Sequence, residues 1–228
     1  MKKNDLLKLY NQQYFSEREN LPNPLLNTLD ILLRKNGIVN ILEVGAGSGK
    51  LMKHLKKEGY HVEGIDISPI AAKLSGAKVA SATKIPFKDK QFDCVIAISI
   101  IEHLSKADGK VFIREAGRVL KNGGLIFIVT PNFSSPARYL KKEKWFGYSD
   151  KTHIFFYTPL RLRKLLLDNG FLNVHLTFKI RSSKLEWPLP PFVHKFPAPL
   201  KYLINLCLVS TPLTLIRDSI WVSANKIK

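Results

Sequence analysis

Cysteine is nearly absent: the chain of 228 residues has two, Cys94 and Cys207. The first lies in an apolar, strand-like run and the second in an apolar segment near the end. They make no disulfide framework, so a reducing cytoplasm is the default setting. No Cys, His and Asp residues recur at metal-ligand intervals, and no metal is expected. Acidic residues are also few, 18 against 36 Lys and Arg, for a net charge of +18. Such an excess favours polyanions, either nucleic acid or an anionic membrane surface, although a well-solvated lysine-rich exterior gives the same count. The opening MKKNDLLKLYNQQ lacks the apolar core of a signal peptide. The stretch Tyr202 to Ile216 is uncharged for fifteen residues. It falls short of the ~20 needed to span a bilayer, and Pro212 interrupts it. No internal repeat is visible. A hydrophobic content of 45% excludes intrinsic disorder, and the length suits one α/β domain.

What is present is organised around Val39 to Lys50, VNILEVGAGSGK. A short apolar strand runs into Gly45, Gly47 and Gly49, and a helical pattern follows without a break. Glycines at a strand-to-helix turn let the backbone approach a ligand, and the helix N-terminus points free N–H groups into the same space. Sixteen residues after Lys50, a second apolar strand (His61 to Ile65) delivers Asp66, an acidic group placed to face a ribose. The pattern predicts a nucleoside-bearing cofactor. The glycine spacing is G-x-G-x-G, with Lys50 where the dinucleotide fingerprint needs a small residue. Leu51 after Gly49-Lys50 also departs from the phosphate-loop motif.

Instead, Glu43 to Gly49 resembles the first motif of class I S-adenosylmethionine-dependent methyltransferases, and IPFKDKQFDCVIAISIIEHL resembles that family's LPF…FD…EH stretch. The resemblance runs over residues 39–132 and more loosely over 150–180. It implies S-adenosyl-L-methionine as cofactor. Glu43, Gly45, Ala46, Gly47 and Gly49 would shape the amino-acid end, and Asp66, with Ile67 beside it, would take the ribose. Ser81, Ala82 and Ile98 would surround the adenine. The family carries an acidic residue where this chain has Ser81, a weaker acceptor. Glu102 and His103 would begin the next helix beside the cleft.

The implied fold is a doubly wound, Rossmann-like, seven-stranded and mostly parallel sheet. A single domain covers 1–228: cap helices over 1–37, a cofactor core over 38–132, a substrate region over 133–184, an apolar insertion over 185–218 and a last strand over 219–228. Further expected elements are helices at 4–16, 25–35, 110–120 and 160–168, a fifth strand from Leu125 to Thr130 after a break at Lys121 to Gly124, and a sixth from Phe171 to Ile180. Tyr10, Tyr14 and Phe15 either cap the site or pack.

Residues 136–184 mix eleven Lys and Arg with aromatic side chains. This suits either single-stranded nucleic acid or an anionic head group at a membrane interface. Within it, Asp150 and His153 precede an aromatic run and the Thr158-Pro159 helix cap, as in several branches of the resembled family. His153 is the candidate general base or the group that orients the acceptor, with Asp150 orienting its ring, and His103 is a further catalytic candidate. The insertion around Trp187 reads as an interfacial membrane segment, a lid or a dimer contact. The expected reaction is methyl transfer to a small-molecule or lipid-linked acceptor. An RNA methyltransferase and a non-catalytic cofactor binder are the alternatives. The chain lacks the Asn/Asp-Pro-Pro-aromatic motif of base-amine methylation. The expected location is cytoplasmic, peripheral at the inner membrane face.

Overall fold

The computed structural model describes residues 23–176, 193, 195–209 and 217–227. The expected first helix, with Tyr10, Tyr14 and Phe15, lies outside the described residues, as do Trp187 and residues 210–216. In chain order the elements begin α1 (Asn23–Lys35), β1 (Asn40–Val44), α2 (Lys50–Lys57), β2 (His61–Asp66), α3 (Pro69–Ser75), β3 (Lys78–Val79) and β4 (Phe92–Ile98). They continue with α4 (Lys106–Val119), β5 (Leu120–Pro131), α5 (Ala137–Lys141), α6 (Phe146–Ser149), α7 (Pro159–Leu167), β6 (Phe171–His175), α8 (Ala198–Val209) and β7 (Ser219–Lys226).

The seven strands form one sheet in the order β3-β2-β1-β4-β5-β7-β6. All neighbours are parallel except β7, which runs antiparallel between β5 and β6. Side chains alternate across each strand, so the sheet builds two cores. On one face Val95 and Ala97 of β4 meet Phe112, Ile113 and Ala116 of α4 and Leu162 and Leu166 of α7. On the other, Cys94 and Ile96 meet Leu29 and Leu33 of α1 and Leu51 and Leu55 of α2. The strand order reverses between β1 and β4, which is where an open α/β sheet leaves a crevice at its carboxyl edge.

Three expectations need correction. The helix expected from Lys110 starts at Lys106, because the Ser105 hydroxyl accepts the Asp108 N–H and caps it. The break expected at Lys121 to Gly124 lies inside β5. Phe92 pairs with Leu120 and Cys94 with Leu125, and the extra residues bulge out between them. Glu102 and His103 do not open the long helix; they belong to a 3₁₀ turn, Ile101–His103, that precedes it. Strand six is described over Phe171–His175, and residues 177–180 of its expected span lie outside the described residues. No helix among the described residues is long and apolar enough to cross a membrane.

Candidate active site

At the carboxyl end of β1 the glycine loop folds back on β2. The N–H groups of Gly45 and Ala46 both donate to the Ile65 carbonyl, at 2.8 and 3.0 Å. Gly47 N–H donates to Asp66 Oδ2 at 2.9 Å, and Ser68 N–H to Asp66 Oδ1 at 2.8 Å. Asp66, at the tip of β2, is thus the clasp between loop and strand. Burial holds its carboxyl above the usual range, against the pull of these N–H groups. Half-buried Ile67 sits between the two.

Glu43 lies beneath the loop, 6% exposed, and its Oε2 has no hydrogen-bond partner. Burial, with the Asp66 charge adding to it, pushes its carboxyl up to about 8, while the Met52 N–H in the first turn of α2 pulls the other way. Two carboxyls in one poorly solvated place penalise a pyrophosphate and favour a cation. Over the loop, the Ile100 side chain rests on Gly45 and fills the space a Cβ would need there.

Where the resemblance leads one to expect the adenine, the Ser81 hydroxyl shares a 2.8 Å hydrogen bond with Thr83 Oγ1 and accepts the Thr83 N–H at 3.2 Å. Ala82 packs half-buried on the core, and Ile98 is the last residue of β4. The segment after Ala82 is fixed by a pair that the motifs did not single out. Arg118 donates to the carbonyls of Ile85 and Phe87 at 2.9 and 2.8 Å, and to Glu115 Oε1 at 2.8 Å.

The expected catalytic residues come together from two distant stretches. Glu102, 1% exposed, takes the Thr130 hydroxyl on Oε2 at 3.0 Å, and its Oε1 has no partner. Burial pushes this carboxyl up to about 8, opposed by hydrogen bonds to its charged form and reinforced by Asp150. His153 Nε2 stands 4.0 Å from that Oε1. The His153 ring is oriented by the Gly147 carbonyl, 2.7 Å from Nδ1. Asp150, expected to hold that ring, instead accepts the Thr152 hydroxyl on Oδ1 at 2.5 Å. The Thr152 oxygen lies 2.8 Å from His103 Nδ1, so Asp150 steers His103 through Thr152. The two imidazoles meet edge to face with centroids 4.7 Å apart. Phe156 adjoins His153 and stacks on Phe133 at 5.5 Å. The buried Tyr157 hydroxyl is pushed up to about 12 by burial and by Glu102, so it is no base near neutrality. Ser99, leading into this turn, holds a left-handed φ of +53°, a strain that clusters at functional sites.

A family model described as a methyltransferase domain matches residues 11–176. The chain belongs to the S-adenosylmethionine-dependent methyltransferases. It is 32% identical over 109 residues to a demethylmenaquinone methyltransferase of Tropheryma whipplei, a match covering 44% of each chain. It is 29% identical over 151 residues to a ubiquinone biosynthesis O-methyltransferase of Bartonella bacilliformis, covering 58% of this chain and 59% of that one. The chain thus spans about half the length of these curated relatives. A solved methyltransferase from Archaeoglobus fulgidus shares the fold, with a TM-score of 0.65 at 21% identity over 95% of this chain and 100% of that one.

The cofactor of this methyltransferase is S-adenosyl-L-methionine, which brings a sulfonium, an ammonium group and no phosphate. The Glu43 and Asp66 carboxyls, with the orphaned Glu43 Oε2, fit that charge pattern. Asp66→Ala removes a charged acceptor worth about 1.5–3 kcal/mol, so cofactor affinity is expected to fall roughly 10- to 150-fold in calorimetry. Wild-type affinity would take Asp66 out of the site. A hollow of about 570 Å³ is lined by Asn40, Lys56, Tyr60, His61 and Gln91. It opens at the amino ends of the strands, away from the switch point where the family's cofactor binds.

Proposed function

We propose that this methyltransferase alkylates a hydroxyl oxygen on a small, ring-bearing or lipid-linked acceptor. The observation that carries the reading is the Glu102, His103 and His153 cluster, set against the stacked Phe133 and Phe156 rings just beyond the carboxyl end of β4. A hydroxyl is a poor nucleophile until its proton is lost, whereas a neutral amine already has its lone pair free. A cluster able to take up or displace that proton therefore suits oxygen. Aromatic faces suit a flat acceptor. The names of relatives, a demethylmenaquinone methyltransferase and a ubiquinone biosynthesis O-methyltransferase, support a ring-bearing acceptor, and the second supports oxygen.

The reaction is an in-line displacement. The acceptor oxygen forms a bond to the methyl carbon as the carbon–sulfur bond breaks, and its electron pair stays on sulfur. The protein contributes chiefly position: the glycine loop and Asp66 fix one reactant, and the turn at Ile101–His103 fixes the other. Tyr139 and Leu140 are 67% and 75% exposed beside Lys141, Lys142 and Lys144. That surface supports a lipid-like acceptor taken from an anionic membrane, with the protein peripheral at its inner face.

Transfer of a labelled methyl group from S-adenosylmethionine into total lipid and total RNA extracts tests the proposal. Label is expected in an organic-soluble product whose methyl survives alkali, as an ether does and an ester does not. Label confined to RNA would favour the polyanion reading. No label in either, with cofactor bound, would leave a binding protein without catalysis.

A further inference from the structure

We propose that Glu102 Oε1, His103 Nε2 and His153 Nε2 hold one divalent cation of the zinc or cobalt type, with an open position for the acceptor's hydroxyl oxygen. The inference rests on the methyl-transfer reading for its role, and on geometry alone for its existence.

One carboxylate and two imidazoles offer ligand atoms that all lie within 4.8 Å of one another. Ligands about 2.1 Å from a tetrahedral ion are ~3.4 Å apart, so the cluster needs to contract by less than ~1.5 Å, which side-chain rotation supplies. The Glu102 oxygen that faces His153 is buried and without a hydrogen-bond partner, a costly arrangement unless something positive completes it.

The surroundings of the two rings decide which nitrogens keep a lone pair for a cation. His153 Nδ1 is 2.7 Å from a backbone carbonyl, which only accepts, so Nδ1 carries the proton and Nε2 the lone pair. The Thr152 hydroxyl gives its hydrogen to Asp150 and must accept from His103 Nδ1, which puts the lone pair of that ring on Nε2 as well. Metal-bound histidines usually donate their other N–H to a carbonyl or carboxylate, and here one ring meets a carbonyl directly and the other a carboxylate through Thr152. A purely acid–base pair needs one such histidine; two, with a carboxylate that has an orphaned oxygen and with ligand atoms all within 4.8 Å, form the set of a catalytic zinc site.

Bound to the cation, the acceptor oxygen gives up its proton to solvent near neutral pH and remains held for attack on the methyl carbon. The charges then balance: the alkoxide or phenolate takes the methyl, neutral thioether leaves, and no oxidant or reductant takes part.

The test uses the full chain, stripped of metal with a chelator that is then removed, and titrated with Co²⁺ in the absence of cofactor and acceptor. One Co²⁺ per chain is expected, with the visible absorption of a four- or five-coordinate ion. Glu102→Gln and His153→Ala should abolish it. Thr152→Val should weaken it about 10- to 100-fold by releasing the His103 ring. His54→Ala, whose ring pairs with Asp30 at 3.3 Å, should bind as wild type. Retained S-adenosylhomocysteine binding shows that each variant is folded. No stoichiometric Co²⁺, or equal binding by folded Glu102→Gln, overturns the inference. Because binding is read without turnover, a metal site that forms while neither extract is labelled sinks only the methyl-transfer reading. Methyl transfer that persists through chelation sinks only the metal.

Discussion

His153→Ala is expected to lower the turnover number about 10²- to 10⁴-fold, the usual range for loss of a group that handles a proton in the transition state. Cofactor affinity should stay within about twofold, since His153 belongs to the turn before α7, whereas the cofactor side is built from the ends of β1 and β2. The ring is nearly enclosed, with its side chain 7% exposed, and its two nitrogens have different duties: Nδ1 is spent on Gly147 and Nε2 faces Glu102. Alanine removes both at once. Asp150→Asn should do less, because Asp150 acts on His103 through the Thr152 hydroxyl and not on the reacting atoms. Initial rates with labelled cofactor, set beside calorimetry with S-adenosylhomocysteine, separate these effects. Unchanged turnover in His153→Ala would put the acceptor elsewhere.

The difference between those two variants marks how far the sequence can be read. The strand–glycine–helix unit and Asp66 are local: everything needed to place them lies within about thirty residues, and period and turn chemistry suffice. The same holds for the helix after Thr158, whose hydroxyl accepts the Arg161 N–H as a cap should. The last strand, antiparallel between β5 and β6, follows from the resemblance and stands in the structure.

The acceptor cluster is not local. His103 and Thr152 are 49 residues apart, and no spacing rule links them. Glu102 alone looks like an acidic residue at a helix start. By distance along the chain Asp150 belongs to His153, the nearest histidine, but the chain turns so that the Gly147 carbonyl reaches His153 first. The early start of α4, by contrast, is local, since Ser105 caps it, and Gly109 is carried inside the helix. The fold places that glycine against Tyr157, where a Cβ would come 2.5 Å from the hydroxyl oxygen. In the acceptor cluster it is tertiary contacts that override sound local preferences.

Gly49→Ala is expected to be the most damaging single-methyl change in the cofactor half. Gly49 caps α2 with φ +79° and ψ 11°, in the left-handed region that costs an L-residue about 1–2 kcal/mol. An added Cβ would also stand 2.6 Å from Ser75 Cα and 2.8 Å from its Cβ. Those atoms end α3 and cannot swing aside. Ser75 is pinned by its hydroxyl, which donates to the Ala71 carbonyl at 2.8 Å and accepts the Ala77 N–H at 3.2 Å. Overpacking of this kind adds about 1–3 kcal/mol, for a total of roughly 2–5 kcal/mol. In a chain of this length that lowers the melting temperature by roughly 4–20 °C. Gly45→Ala meets only the Ile100 side chain, which can change rotamer, and should cost less. Gly59→Ala is the control: its φ is +92°, yet nothing lies within 4 Å of the new methyl. It should therefore show the backbone penalty alone and leave cofactor binding intact. Thermal unfolding of the three variants, with cofactor titrations, checks the order. If Gly49→Ala and Gly59→Ala lose the same stability, the close approach of α3 to the glycine loop contributes nothing, and the loop's shape must be held from the β2 side, by Asp66 and the Ile65 carbonyl.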